Sequence, residues 1–192
     1  MGPDELPILP FPSSAAWEAW LEQEHARAAG VWLKIAKKDT GIATVTYAQA
    51  LDVALCFGWI DGQKRGFDDT WFLQRFTPRK ARSRWSKINT EHIARLVEEG
   101  RMRPAGLAQV EAARADGRWA AAYASQANAT IPPDLQAALD ASPAAAAFFA
   151  TLRGANRYAV LYRVQDAKRP ETRARRIERF VAMLARGETL HG

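Results

Sequence analysis

The sequence predicts an α+β protein with a small antiparallel β-sheet and flanking helices, followed by a helical C-terminal part. Short apolar segments with strand-like alternation occur in the first hundred residues. The later residues show helical spacing interrupted by glycine and proline, and the chain has no internal repeat. We expect an extended Pro-rich arm over residues 1–13 and an α+β sheet region with a basic loop over 14–100. A helical region over 101–192 is expected to pack on the sheet region.

The composition is that of an ordinary globular chain, with 48% hydrophobic and 25% charged residues. The net charge of +6 arises entirely in residues 101–192, where 14 cations accompany 8 acids, because residues 1–100 carry 13 of each. The basic pI suits nucleic-acid or anionic-surface partners, and genomic composition bias explains the arginine content equally well. No apolar run reaches the ~20 residues of a membrane helix. Without a visible signal peptide, we expect a cytoplasmic location.

Helix and strand signals alternate at the start of the sheet region. A helix over 15–29, capped by Ser13 or Ser14, precedes a strand over 31–36 with regular side-chain alternation. The segment Thr46–Gln49 then forms a capping box, in which a threonine and a glutamine three residues later satisfy each other's backbone groups. This box predicts the start of a second helix.

Two paired strands are predicted next, over residues 59–64 and 70–76. The second strand is apolar on both faces, which indicates a central strand that is covered on both sides. Pro78 has no backbone N–H, so we expect strand pairing to stop there. Asn89 or Thr90 is expected to cap the helix that follows.

The rest of the chain is predicted as helices separated by glycine and proline. A linker is expected at Ala127–Thr130. The predicted helices start near Pro104, Pro133, Pro143, Asn156 and Pro170.

Residues 75–89 carry the strongest functional signal. Six cations lie within the first thirteen residues of this segment, with no acid among them. They are Arg75, Arg79, Lys80, Arg82, Arg84 and Lys87. Such a cluster repels itself unless an anion or acids from elsewhere neutralise it. We expect residues 77–88 to form an exposed loop, with Trp85 as a stacking surface.

Three interpretations of this segment are open. In the first, a small anionic ligand is held by cations, neutral donors and an aromatic wall. The predicted ligand-binding residues are Lys34, Trp59, Arg75, Thr77, Arg79, Arg84, Trp85, Ser86, Lys87 and Asn89. In the second, the cations follow a nucleic-acid backbone while Trp85 stacks on a base. In the third, the segment is a solvated loop paired to acids such as those of the 15–29 helix.

Catalysis has weaker support, because no complete catalytic motif is present. Asp61, within Gly58–Gly62, is the candidate for a catalytic residue, and an enzyme acting on a small molecule would use it as a general base. The alternative is an Asp-Gly turn, in which the carboxylate bonds to nearby backbone N–H groups. The three histidines lie far apart and the chain has one cysteine, so we expect neither a metal site nor a cofactor.

Six segments together resemble one known family. They are Trp32–Lys34, Gly58–Gly62, Gln74–Arg79, Ser83–Asn89, Gly100–Met102 and Ala167–Ile177. Over most of residues 14–187 the chain is similar to YdeI/OmpD-associated, or bacteriocin-protection, proteins of bacteria. The resemblance implies a role in envelope stress and tolerance of peptide antibiotics, and the family name suggests a porin partner. Because no export signal is visible, we expect an intracellular stress-tolerance protein that binds a small anion at residues 75–89.

Overall fold

The computed structural model describes residues 6–123 and 129–191, which form four strands and eight helices. These elements confirm the predicted α+β class. The chain divides into two compact units, Met1–Ala122 (unit 1) and Tyr123–Gly192 (unit 2). The division follows the fourth helix and therefore falls inside the region that the sequence grouped as 101–192.

Unit 1 contains the whole sheet. Its strands are β1 (Ile8–Pro10), β2 (Val31–Ala36), β3 (Trp59–Gly66) and β4 (Trp71–Pro78). Its helices are α1 (Ser14–Glu24), α2 (Tyr47–Cys56), α3 (Lys87–Glu98) and α4 (Pro104–Ala115). The strand order is β1-β2-β4-β3, so β4 is central as predicted. Strand β1 runs parallel to β2, and the other neighbours are antiparallel.

Strand β1 lies within the segment predicted as an extended arm. Its backbone is extended, and Pro10 pairs with Lys34 at the edge of the sheet. An edge position tolerates proline because one side of the strand needs no ladder donor. Met1–Glu5, the start of the predicted arm, lies outside the described residues.

One face of the sheet forms the core of unit 1. Val31, Leu33 and Ile35 on β2 and Phe76 on β4 are buried in the same cluster as residues of α1 and α2. The Trp17 indole N–H donates a hydrogen bond to the Ala50 carbonyl oxygen at 3.1 Å, which ties α1 to α2. The alternating side chains of β2 therefore place Trp32 and Lys34 on the second face of the sheet.

The helix starts were predicted with mixed success. The capping box of Thr46 and Gln49 is confirmed at the start of α2. Helix α1 is capped by Ser13, one of the two predicted residues, and ends at Glu24 rather than at residue 29.

The predicted cap of α3 is wrong. This helix begins at Lys87, and the Ser86 hydroxyl oxygen accepts a hydrogen bond from the Asn89 backbone N–H at 3.2 Å. Asn89 and Thr90 are therefore inside the helix. Ser86 satisfies the same capping rule three residues earlier.

Unit 2 is helical in its described part. Its helices are α5 (Pro133–Asp140), α6 (Pro143–Thr151), α7 (Gly154–Gln165) and α8 (Pro170–Ala185). Their buried faces share one core that includes Leu139, Phe149, Leu161 and Phe180. The predicted linker at Ala127–Thr130 lies partly outside the described residues, which resume at residue 129.

The predicted capping role of Asn156 is wrong, since α7 begins at Gly154. The Asn156 side chain instead pairs with the backbone of His191. Its Nδ2 donates to the His191 carbonyl oxygen at 3.1 Å, and its Oδ1 accepts from the His191 N–H at 3.0 Å.

Candidate functional site

The basic segment 75–89 does not form one site. Arg75 lies on β4, Arg79 directly follows that strand, and Lys87 opens α3. The predicted ligand-binding residues consequently fall into three places: the second sheet face, the interior of unit 1 and an exposed loop.

The interior group is built around Arg79 and Trp85. Arg79 is 6% exposed and Trp85 is 2% exposed. The Arg79 guanidinium carbon lies 3.5 Å from the Trp85 ring centroid, and its Nη1 donates to the Arg84 carbonyl oxygen at 3.0 Å. The Trp85 ring in turn packs against Trp119 at a centroid distance of 4.9 Å. The Arg79 side chain thus stabilises the conformation of the loop that follows it. The prediction that Trp85 is an exposed stacking surface is wrong, because the ring is buried.

Two other predicted site residues are also interior. Trp59 is 1% exposed, and its indole N–H donates to the His25 carbonyl oxygen at 3.1 Å. Asn89 is 8% exposed and takes part in the cap of α3. The aromatic wall expected from Trp59 and Trp85 is therefore wrong, because both rings are occupied by packing inside the protein. Ser86 is occupied by its capping hydrogen bond.

The second sheet face carries Lys34 and Arg75. Arg75 pairs in register with Trp32, and its guanidinium carbon lies 6.0 Å from the Trp32 ring centroid. The Arg75 Nε is buried and has no hydrogen-bond partner within the described residues. The Lys34 ammonium lies 4.5 Å from the Phe67 ring centroid and 4.8 Å from that of Trp71. Both cations are therefore stabilised by aromatic rings.

Sequence reasoning missed a third cation on this face. The Arg65 guanidinium carbon lies 4.2 Å from the Trp32 ring centroid. Arg65 pairs in register with Leu73, and Leu73 lies two residues from Arg75 on the same side of β4. The alternation of side chains along β3 and β4 could have predicted that Arg65 and Arg75 lie on the same face of the sheet. Thr77 is half-buried on β4 and pairs in register with Ile60.

The exposed loop and the first residue of α3 carry the remaining cations of the segment. The loop cations are Lys80, Arg82, Arg84 and Lys87, and all four are exposed. The loop is compact, because the Ser83 Oγ accepts from the Lys80 N–H at 2.9 Å and the Ser83 N–H donates to the Lys80 carbonyl oxygen at 2.8 Å. Arg118, which lies outside the segment in the sequence, also stabilises the loop by donating from Nη1 to the Ser83 carbonyl oxygen at 3.0 Å.

The acids expected to neutralise this loop are used elsewhere. Glu18 and Glu22 both accept from Arg103 Nη2, at 3.1 and 2.7 Å. Asp68 accepts from the backbone N–H groups of Thr70 and Trp71. The expected pairing with the acids of the first helix is therefore wrong. Three of the loop cations form no ion pair within residues 6–123 and 129–191: Lys80, Arg82 and Lys87.

Asp61 lies in β3 rather than in the Asp-Gly turn that was the alternative to catalysis. Its Oδ2 accepts a hydrogen bond from the Tyr47 hydroxyl at 2.8 Å. Burial and the charge of Asp61 raise the pKa of Tyr47 above its ordinary value. The neutral phenol is thus the donor in this pair at neutral pH.

The pairing of β3 with β4 shifts register between Asp61 and Lys64. The buried Gln74 amide donates to the Gly62 carbonyl oxygen at 2.9 Å, which satisfies a backbone acceptor at this irregularity. Gly62 also makes room for Arg75, since an added Cβ would lie 2.9 Å from the Arg75 Nε. The missing side chain at Gly62 therefore helps to position the cation on the second sheet face.

Neither metal chemistry nor a membrane span has a structural signal in residues 6–123 and 129–191. These residues contain no group of three His, Cys, Asp or Glu side chains that could hold a metal ion. No helix among them has the length and apolarity to cross a bilayer.

Two family models match the chain. One is described as a domain of unknown function, DUF8412, and covers residues 9–109. The other is described as bacteriocin-protection, YdeI or OmpD-associated, and covers residues 128–187. No curated protein and no solved structure matches.

The second match confirms the family that the sequence resembles. Of the six segments that carry the resemblance, Ala167–Ile177 lies in this match and the other five lie in the first one. The candidate residues of unit 1 therefore all fall within the DUF8412 match, which spans 101 of the 192 residues. The chain belongs to the DUF8412 family, and its residues 128–187 are a YdeI/OmpD-associated, bacteriocin-protection domain.

Proposed function

We propose that the protein acts in stress tolerance of the bacteriocin-protection kind by binding a small anionic ligand at the loop cations. The observation that carries this proposal is the exposure of Lys80, Arg82 and Lys87 without any ion pair in the described residues. An unpaired cluster of like charge gains free energy when an anion neutralises it. The ligand class is a phosphate or a carboxylate, which lysine and arginine side chains bind by charge-assisted hydrogen bonds.

The anchoring of the loop supports this proposal. Arg79, Trp85 and the Ser83 turn hold the loop backbone in one conformation. The backbone that carries these cations is therefore already ordered before a ligand binds. Binding consequently costs less conformational entropy than binding to a disordered segment would. The predicted participation of Trp59, Arg79, Trp85 and Asn89 as ligand contacts is not part of the proposal, since their side chains are buried.

A calorimetric titration with inorganic phosphate and with acetate, at low salt, tests the proposal. The variant Lys80→Gln/Arg82→Gln removes two loop cations. The matched control Lys37→Gln/Lys38→Gln removes two exposed lysines of the same unit. Exposed ion pairs contribute about 0.2–1 kcal/mol each, so the loop variant should weaken binding about 2- to 30-fold. No phosphate or acetate binding by the wild type, or equal loss in both variants, contradicts the proposal.

Nucleic-acid binding is a second candidate, favoured by the exposure of all four loop cations. Because Trp85 is buried, such binding would be electrostatic and would lack base stacking. Affinity would then fall by about 0.7–0.9 log units per log unit of salt for each phosphate contact. Fluorescence anisotropy with single- and double-stranded probes of different base composition measures this slope. Salt-independent binding, or a strong base preference, contradicts this second candidate.

The cellular part of the proposal is a cytoplasmic site of action. It rests on the sequence expectation, and porin contact is suggested by the family description alone. Cell fractionation measures the location directly. In a deletion strain of the source bacterium, the wild-type gene should restore tolerance to a peptide antibiotic, whereas Lys80→Gln/Arg82→Gln should not. Full rescue by that variant would contradict the proposal that tolerance depends on anion binding at the loop cations.

A further inference from the structure

Unit 2 contains a cavity that the proposed function does not use. Its volume of about 350 Å³ lies at the low end of the range of small-molecule sites, about 300–1,000 Å³. Ile131, Leu139 and Phe149 provide an apolar lining, and Gln136, Arg153 and Arg157 provide a polar one. The combination of an apolar surface with two neighbouring cations is the chemistry that an amphipathic anion needs.

The two arginines are held in place at the C-terminal end of α6. Arg153 donates from Nη1 to the carbonyl oxygens of Ala150 and Leu152, at 2.6 and 3.0 Å. Arg157 donates from Nη1 to the Phe149 carbonyl oxygen at 3.4 Å, and its guanidinium carbon lies 4.5 Å from the Phe149 ring centroid. The cations are thus fixed where the apolar lining ends.

Helix capping accounts for part of this arrangement. Arginine side chains commonly bond to the last carbonyls of a helix, where the helix dipole favours positive charge. Capping here uses only the Nη1 atoms. The Nε and Nη2 atoms of Arg153 and Arg157 make no hydrogen bond, and neither residue forms an ion pair, within the described part of the chain. Both guanidinium groups therefore retain donors for a ligand.

We infer that this cavity binds a small organic anion, a carboxylate or sulfonate that carries an aromatic ring or a short apolar chain. The charged group bonds to the free donors of Arg153 and Arg157. The apolar part contacts Ile131, Leu139 and Phe149. The Gln136 amide offers a further donor or acceptor to the ligand's polar end. This site is independent of the loop cations, because all of its residues belong to unit 2.

The fluorescent sulfonate 8-anilinonaphthalene-1-sulfonate tests the inference, since its emission rises on transfer to an apolar site. We expect saturable binding to one site. Benzoate should displace the probe, whereas benzyl alcohol and inorganic phosphate should displace it much less, because each lacks one of the two required features. Equal displacement by inorganic phosphate and benzoate would overturn the role of the apolar lining.

Two variants and one control locate the site. Arg153→Gln/Arg157→Gln should weaken probe binding about tenfold, the change produced by 1.4 kcal/mol. Ala150→Phe, at an exposed position of α6 that borders the cavity, should block binding by filling it. Arg163→Gln/Arg169→Gln removes two exposed cations outside the cavity and should leave affinity unchanged. Wild-type affinity in Ala150→Phe, which keeps both arginines, would overturn the inference even if the arginine variant failed to fold.

Discussion

Arg79 and Arg82 are three residues apart in one basic segment, yet they lie in opposite environments. Arg79 is 6% exposed, stacked on Trp85 and bonded to the loop backbone, whereas Arg82 is exposed and without an ion pair in the described residues. The first contributes to the fold, and the second is available to a ligand. A high density of charge along a sequence therefore does not identify a binding site by itself, because the structure must first show which cations are exposed and which are buried.

The difference originates outside the segment. Trp119 packs on Trp85, and Arg118 bonds to the Ser83 carbonyl oxygen. These two residues follow α4 and are more than thirty positions away along the chain. They bury one part of the loop and leave the other part in solvent. All seven tryptophans lie in unit 1, so tryptophan fluorescence during urea unfolding measures the stability of this unit selectively.

The largest expected effect is that of Trp85→Ala. Truncating a fully buried tryptophan removes its packing against Trp119 and Arg79, and such changes typically cost about 3–5 kcal/mol of unfolding free energy. Urea unfolding followed by the remaining tryptophans measures the loss. Wild-type stability of this variant would mean that the buried part of the segment does not hold the loop.

The pair Arg79→Lys and Arg82→Lys separates the two environments at constant charge. Lysine lacks the planar guanidinium that stacks on Trp85 while bonding to the Arg84 carbonyl. We therefore expect Arg79→Lys to lower the unfolding free energy by about 1–3 kcal/mol. Arg82→Lys should change it by less than about 0.5 kcal/mol. Equal effects in urea unfolding would remove the distinction between the two arginines.

The cap of α3 gives a smaller effect. Ser86→Ala removes the hydroxyl that accepts the Asn89 N–H, which should cost about 1 kcal/mol. Ser86→Asp keeps an acceptor at this position and should retain most of the stability. If Ser86→Ala were neutral in the same unfolding assay, the cap would not contribute to fixing the end of the loop.

A pH dependence is expected from the ion pairs between α2 and α3. The Asp52 carboxylate accepts from His92 Nδ1 and from Arg95 Nη2, each at 2.6 Å. Burial raises the pKa of Asp52, but the hydrogen bonds from His92 and Arg95 outweigh it and hold the pKa below its usual value. Because the pKa of Asp52 is lower in the folded state, its carboxylate stabilises the fold at pH values above its unfolded-state pKa of about 3.9. This stabilisation is lost as the pH falls through the folded-state pKa.

Asp52→Asn should therefore lower stability at neutral pH by less than about 1 kcal/mol, since the pair is partly exposed. It should also make the loss of stability below about pH 4 shallower. Urea unfolding at a series of pH values measures both effects. Lys80→Gln/Arg82→Gln serves as the control and should keep the wild-type pH profile, because neither residue pairs with an acid in the described residues. Superimposable profiles for Asp52→Asn and wild type would contradict this role of Asp52.

The sequence was most informative where the physics is local. The capping box uses only Thr46 and Gln49, which lie within one helical turn, and it is confirmed at the start of α2. The central position of β4 is also confirmed, and it was predicted from apolar residues on both faces of that strand alone. The α3 cap was placed at Asn89 or Thr90 because several capping residues occur in succession, and Ser86 is the one that the backbone uses. The burial of Arg79 and Trp85 depends on Trp119, whose position local patterns do not specify.

Phosphate titration monitored by backbone amide NMR tests the central claim most directly, because it reports on every part of the segment at once. At low salt, we expect the largest chemical-shift changes at Lys80, Arg82 and Lys87, with small changes at the buried Arg79 and Trp85. We also expect small changes around Lys34 and Arg75 on the second sheet face. Largest changes at Lys34 and Arg75, or none at Lys80, Arg82 and Lys87, would contradict the assignment of anion binding to the loop cations.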